Sequence, residues 1–262
     1  MSASLVQFKT AQREGWSHFA PLAAFTTISA AQLVKFAAVR PGERVLDVAT
    51  GTGVVAVTAA RVGATVCGLD LSPALLEFAR GNTKLAGVTI DFTEGDVESL
   101  PYDDSSFDVV LSQFGHMYTP RPEVATSEML RVLKPGGRIA FSTWPPDLFM
   151  GRMFALVARH VPAPPGVTPS PAWGDPDVVR ERLGAAVTDL FFERELMLVP
   201  ALSIAHYRTS VEQTGGPLAR AAATLHGEAL ARFRTELDAL IAAYRVDNVV
   251  RQHYLMSRAR KI

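Results

Sequence analysis

The sequence predicts an α/β protein: a seven-stranded, mostly parallel sheet with helices on both faces and a helical cap. Three observations lead there. Between residues 39 and 145, short apolar runs alternate with longer helix-period segments, the pattern of successive right-handed βαβ units. The run "VLDVATGTGVVAV", Val45 to Val57, carries an acid, Asp47, ahead of Ala49, Gly51 and Gly53. A buried strand avoids a lone carboxylate, and glycines cost backbone entropy, so both belong where a strand ends and a ligand comes close. After Trp144 the alternation gives way to a proline-rich stretch, one strand, a helical block and a last strand.

Taken in order, residues 1–38 read as helical, with Ile28, Leu33, Phe36 and Ala37 at helix-like spacing. "RPGE" is a turn and "RVLDVA" a buried first strand, followed by the helix "GVVAVTAARVG" closed at Gly63. "ATVCGLDL" is a second strand ending at Asp70, and Ser72 and Pro73 open the next helix as N-cap and first helical residue. "VTIDFTEGD" is a third strand ending near Asp96, and "SFDVVLSQF" a fourth. "EVATSEMLRVLKPGG" reads as a helix stopped by Pro135 and two glycines, ahead of a fifth strand, "RIAFSTW". "VPAPPGVTPSPAWGDP" is a loop or linker, "DLFFERELMLVPA" a strand, and residues 203–245 are helices expected to cap the sheet edge. "NVVRQHYLMSRARK" is the last strand, its basic "SRARK" end expected on a solvated edge.

The 262 residues suit one compact domain of three regions: a helical lid at 1–38, a ligand-binding core at 39–145, and C-terminal strands with their 203–245 cap at 146–262, on the substrate side. Zero formal net charge offers no basic excess for nucleic acid or an anionic membrane surface. One cysteine, Cys67, permits no disulfide framework and suits a reducing compartment. The first residues lack a signal-peptide core, and no apolar run approaches the ~20 residues of a membrane span. The expectation is a cytoplasmic protein acting on a small molecule, with neither nucleic acid nor membrane as partner.

In an open parallel sheet, ligands sit beyond the carboxyl ends of the strands. Asp47 lies at the first such end, Asp70 at the second and Asp96 at the third, a row along one crevice. The Ala49–Gly53 turn lets backbone approach a ligand, and the helix after it offers free N–H groups. Asp70 suits ribose hydroxyls, and Asp96 suits an amino group of a base. Two cofactors compete. "GTGVVA" is a loose dinucleotide fingerprint, with Asp70 at about the expected distance. Asp47 would repel a pyrophosphate, however, and suits a cationic amino group, which S-adenosyl-L-methionine carries.

"VLDVATGTG", "GLDLSPALLEFAR", "GDVESLPYDDSSFDVVLSQFG" and "EMLRVLKPGGRIAFSTW", in that order, resemble the class I S-adenosylmethionine-dependent methyltransferases. The nearest resemblance is to the group that includes the ubiquinone and menaquinone biosynthesis enzymes. It covers about residues 40–145 and implies a Rossmann-like fold with S-adenosyl-L-methionine as cofactor and S-adenosyl-L-homocysteine as product. It implies that Asp47 orients the methionine amino end, and that Ala49, Thr50, Gly51 and Gly53 form the loop under the cofactor. Asp70 then accepts from ribose, Leu71 packs on adenine, Asp96 accepts from the adenine amino group with Val97 beside it, and Ser112, Gln113 and Phe114 flank the reacting methyl. Ala49 stands where the family usually has its first glycine.

Methyl transfer from a sulfonium is an in-line displacement, so the protein mainly positions and desolvates, and a base serves only an acceptor that must lose a proton. His116, just after the fourth strand, and His18, in "GWSHFAP", are the candidate catalytic groups. Trp16, Phe19, Phe114 and Tyr118 are candidates for an aromatic wall near the sulfonium. His160, His206, His226 and His253 read as structural or exposed, and none shows metal-ligand spacing. "LSQFG" lacks the Asn/Asp-Pro-Pro-Tyr pattern of nucleic-acid base methylation, and one cysteine is too few for arsenite. A small organic acceptor remains, methylated on oxygen, carbon, nitrogen or sulfur. The rival readings are an NAD(P)-dependent oxidoreductase and a non-catalytic S-adenosylmethionine-binding protein.

Overall fold

The sheet is organised around β1 (Arg44–Val48) and β4 (Phe107–Gln113), whose residues are almost all buried. Burial on both faces is what parallel strands covered by helices require. The computed structural model describes residues 3–162, 170–214 and 216–262. Beside β1 lie β2 (Thr65–Asp70) and then β3 (Asp91–Glu94), both parallel to it. On the other side β4 pairs with β5 (Leu133–Thr143), again in parallel. β8 (Val249–Lys261) runs antiparallel between β5 and β6 (Val187–Pro200), and the two-residue β7 (Arg245–Val246) pairs with β8. The order is β3-β2-β1-β4-β5-β8-β6, and β7 makes the sheet eight-stranded where seven strands were expected.

The flanking helices follow local chemistry. α1 (Ala3–Trp16) and α2 (Thr27–Phe36) are joined by a 3-10 turn over Ala20–Thr26. α3 (Val54–Arg61) follows β1, and α4 (Pro73–Ala86) follows β2, capped by Ser72, whose Oγ accepts from the Leu75 amide, and closed by Gly87 in the left-handed region. α5 (Pro122–Val132) ends three residues before Pro135, which lies inside β5: Leu133 already pairs with Phe107, and an irregularity carries the strand past the glycines to the next pairing, Arg138 with Val109. The proline-glycine run is therefore a strand irregularity, where the sequence suggested a helix stop. α6 (Phe149–His160) occupies the stretch after Trp144, where the sequence predicts no element, and α7 (Pro176–Leu183) precedes β6. The proline-rich loop lies partly outside the described residues, at 163–169.

Two further expectations are corrected. β8 is an interior strand and β6 the edge; Ser257 and Ala259 are buried, while the Arg258 guanidinium lies over the rings of Phe36 and Phe191. The helical block comprises α8 (Ile204–Thr214), α9 (Gly216–Thr224) and α10 (Gly227–Tyr244). Because β6 and β5 both oppose β8, β6 runs parallel to β5, and the chain leaves it at the sheet's carboxyl end. The block thus stands over the strand ends, against α6 and α1, and not along the sheet edge.

Candidate functional site

The carboxyl ends of β1, β2 and β4 open into a cavity of about 260 Å³. Its floor begins with Asp47. The carboxylate is 1% exposed and turns beneath the following turn, where Oδ2 accepts from Thr50 Oγ1 at 2.5 Å and from the Ala56 amide at 3.1 Å. That explains an acid in a buried strand. Gly53, the N-cap of α3, has no side chain to satisfy the helix's free N–H groups, and Asp47 does so from the strand beneath. Oδ1 has no partner among the described residues, and burial pushes the carboxyl up to about 7, against the lowering effect of those two donors.

Asp70 closes the other side of the turn. Its Oδ2 accepts from the Gly51 amide and its Oδ1 from the Ser72 amide, both at 2.8 Å, and burial raises its pKa. Asp96 lies two residues beyond β3; its Oδ1 accepts from the Glu98 amide and its Oδ2 from Lys9 Nζ of α1. Lys9 also reaches Glu98, which binds Arg121, and Arg13 of α1 meets Glu94. The N-terminal helix is therefore ionically fastened across the strand ends, and Gln12 adds a hydrogen bond to the Tyr118 carbonyl.

The turn itself is strained. Ala49 has φ 53° and Phe114, at the end of β4, has φ 56°. A left-handed conformation costs a non-glycine residue about 1–2 kcal/mol. Both residues line the cavity, and a Cβ on Gly115 would stand 2.4 Å from that of Ala49, so the two strand-end segments are pressed together. Strain of this kind concentrates at functional sites.

Asp47, Ala49, Thr50, Gly51, Asp70, Leu71, Asp96, Val97 and Gln113 all border the cavity. Gly53 and Ser112 do not: Gly53 packs on Ala79, and the Ser112 hydroxyl donates to the Val48 carbonyl inside the sheet. Neither candidate histidine borders it. His116 is fully buried with its ring against Phe141 and Trp173, at 4.6 and 4.7 Å between centroids, and both ring nitrogens lack partners among the described residues. Burial, with Arg182 nearby, drives its pKa down to about 3, so this ring stays neutral at ordinary pH, away from the cavity. The 3-10 turn His116–Tyr118 swings it inward, where the sequence suggested the crevice rim. His18 is exposed and lies off the cavity. Trp16, Phe19, Phe114 and Tyr118 do line it; Trp16 meets Tyr118 at 4.8 Å, and Phe114 stacks on Trp144 at 3.9 Å.

The far side of the cavity comes from elements the sequence reading did not connect to the site. α6 contributes Met150, Met153 and Phe154, β6 contributes Met197 and Val199, and α8 contributes His206 and Tyr207. α6 had a usable signal, apolar residues at positions 149, 153, 156 and 157 on one helical face.

Comparison with known proteins gives a family and a fold. A family model described as a methyltransferase domain matches residues 46–141. An uncharacterized protein of Mycobacterium tuberculosis is 35% identical over 233 residues, 87% of this chain and 85% of that one. A demethylmenaquinone methyltransferase of Clavibacter sepedonicus is 43% identical over 124 residues, 46% of this chain and 49% of its own length. Among solved structures, the YcgJ protein of a Bacillus species superposes with a TM-score of 0.63 at 19% identity, over 89% of this chain and 98% of that one. A phosphoethanolamine N-methyltransferase of Haemonchus contortus in complex with S-adenosyl-L-methionine does so at 0.56 and 18% identity, over 89% of this chain and 52% of that one. The structural likenesses establish the fold.

Proposed function

Because the chain belongs to the class I S-adenosylmethionine-dependent methyltransferases and resembles their quinone-pathway group, we propose that it binds S-adenosyl-L-methionine at the carboxyl end of its sheet and methylates a small organic acceptor. The observation that carries this reading is a single cavity in which the acids at the strand ends face a second compartment built by α6, β6, α8 and α9. Two features fit the cofactor. Asp47 keeps a buried oxygen without a partner, suited to a cationic amino group, and a Cβ on Gly51 would meet nothing within 4 Å, leaving free space at the turn.

When bound, S-adenosyl-L-methionine supplies a methyl already activated on a sulfonium. The chain's own part is to hold and to dry the site. Asp47 and the Thr50–Gly51 backbone would orient the amino-acid end, Asp70 the ribose and Asp96 the adenine. Trp16, Tyr118 and Phe114 would wall the methyl from water, where their π faces favour a cation. The helical segment 1–38 would act as a lid, with Lys9, Gln12 and Arg13 as its contacts. No histidine at 116 or 18 is needed in this scheme.

Zero net charge supports a small-molecule acceptor over a nucleic acid, and a single buried cysteine, Cys67, supports a reducing, cytoplasmic setting. Among the described residues, no single helix is long and apolar enough to cross a membrane. Calorimetric titration tests the cofactor assignment: S-adenosyl-L-homocysteine should bind in the micromolar range and NADH should not, and the opposite result overturns it. Methyl transfer from labelled cofactor to a panel of acceptors tests catalysis.

A further inference from the structure

The second compartment differs from the first in kind. Lys9, Arg13, Asp47, Asp70 and Asp96, the acidic and basic side chains that border the cavity among the described residues, all belong to α1 and the strand ends. α6, β6, α8, α9 and β8 contribute no Asp, Glu, Lys or Arg to it; their only titratable lining groups are the phenol of Tyr207 and the imidazole of His206, a residue largely exposed at the margin. Their inner surface is Met150, Met153, Phe154, Met197, Val199 and Leu218, and all but Met150 are 8% exposed or less. Three methionines give this wall a polarizable, adaptable surface.

Ser210 and His206 of α8 are its more exposed polar members, and one polar pair is buried within it. Gln252, 4% exposed on β8, donates through Nε2 to Tyr207 Oη at 2.7 Å. Tyr207 is 3% exposed, and its own hydroxyl proton has no acceptor among the described residues. Gln252 Oε1 has no partner among the described residues, yet it is not among their sealed, unsatisfied buried atoms, so it remains accessible, and the residue borders the cavity. Turning the amide over exchanges which residue donates, but the pair still presents one free donor and one free acceptor. A ligand that fills the apolar compartment must complete this donor and acceptor or leave them buried without partners, which is costly.

We propose that the acceptor is an uncharged, largely apolar molecule carrying a hydroxyl or carbonyl, and that Tyr207 and Gln252 read that group. An ammonium or carboxylate acceptor would leave its charge against methionine and aromatic carbon with no counter-ion, which is unfavourable by a wide margin. A hydroxyl can give its proton to the amide oxygen and accept the phenol's, completing both. The two residues come together only through the fold: they are 45 apart in sequence, one on α8 and the other on β8. This inference rests on the methyltransferase reading, since it assigns the far compartment to the acceptor.

The test uses four probes with one ring system: 1-naphthol, 1-methylnaphthalene, 1-naphthoate and 1-naphthylmethylammonium, titrated into the full chain saturated with S-adenosyl-L-homocysteine. 1-Naphthol should bind best, and the two ions at least about tenfold more weakly. Tyr207→Phe and Gln252→Leu should each weaken 1-naphthol roughly five-fold or more, leave 1-methylnaphthalene unaltered, and leave the affinity for S-adenosyl-L-homocysteine unaltered. Either ion binding as tightly as 1-naphthol, both variants binding it like the native chain, or no probe binding at all would overturn the proposal while leaving the cofactor assignment standing. Failure of S-adenosyl-L-homocysteine itself to bind would overturn the underlying reading and this inference together.

Discussion

The ammonium of Lys9 lies 2.5 Å from the carboxylate of Asp96, 87 residues away in the chain. This contact ties the first helix to the acid that the cofactor reading assigns to adenine. Lys9 is 8% exposed, and its second partner, Glu98, has a side chain 1% exposed. Lys9→Met leaves Glu98 with Arg121 alone and leaves α1 held to the strand ends by Arg13 and Gln12 only. Affinity for S-adenosyl-L-homocysteine should fall by about 1–3 kcal/mol. In the native chain, hydrogen exchange of residues 10–25 should slow when the product binds, and in Lys9→Met that slowing should shrink. An unchanged exchange pattern, with residues 47–53 protected, would make α1 a fixed packing helix.

Asp70→Ala removes the acceptor of both the Gly51 and the Ser72 amides. The fold should persist, because Asp70 ends its strand. Product binding should weaken by roughly 1.5–3 kcal/mol, the range for hydrogen bonds to a charged group, as read by calorimetry. Unaltered affinity would remove Asp70 from the cofactor site.

Asp47 makes stability depend on pH with a definite sign. Its carboxyl is raised from 3.8 to about 7 in the folded chain by burial. Between those values the native state holds a proton that the unfolded chain has lost, so this group's contribution is present below the lower value and declines as pH rises through the upper one. Asp47→Asn should flatten that decline, visible in urea unfolding at pH 4.5, 6 and 7.5, about the limits of the window. Ligand binding should show the converse. A cationic amino group beside Asp47 favours the carboxylate, so uptake of S-adenosyl-L-homocysteine near pH ~6 should release protons, measured by calorimetry in buffers of different ionisation enthalpy. The Asn variant should lose the release.

His116→Leu should leave product affinity unaltered and keep or raise Tm. The ring occupies an apolar niche with two unpartnered nitrogens, and an apolar side chain of similar size relieves groups that each cost about 1–3 kcal/mol when buried unsatisfied. A pH–rate profile altered by this change would return His116 to the chemistry.

What could be read from the sequence was what neighbours in the chain decide. The Asp47 to Gly53 turn, Ser72 as a cap and the acids at successive strand ends are local grammar, and the strands between them followed from their apolar runs. The misreadings share a cause in tertiary pairing. "PGG" looks like a helix stop, but Phe107 draws Leu133 into β5 first. "SRARK" looks solvated, but β6 covers β8, and Arg258 spreads over two phenylalanine rings. His116 follows a strand end, yet one 3-10 turn reverses its direction. Lys9 with Asp96, Gln12 with Tyr118 and Tyr207 with Gln252 join segments between 45 and 106 residues apart, and no local pattern announces such pairs.

β6 and β8 pair from Val187 with Lys261 through to Pro200 with Val249, and the Ala201 amide then donates to the Asn248 carbonyl at 2.7 Å. The whole excursion through α8, α9 and α10 therefore departs and returns at one closed gate. Loop-closure entropy grows only slowly with length, so inserts of different size at this gate would differ little in closure cost. On the proposed reading, a different helical insert at 202–247 would reshape one wall of the acceptor compartment while β6 and β8 keep the register of the sheet that carries the acids.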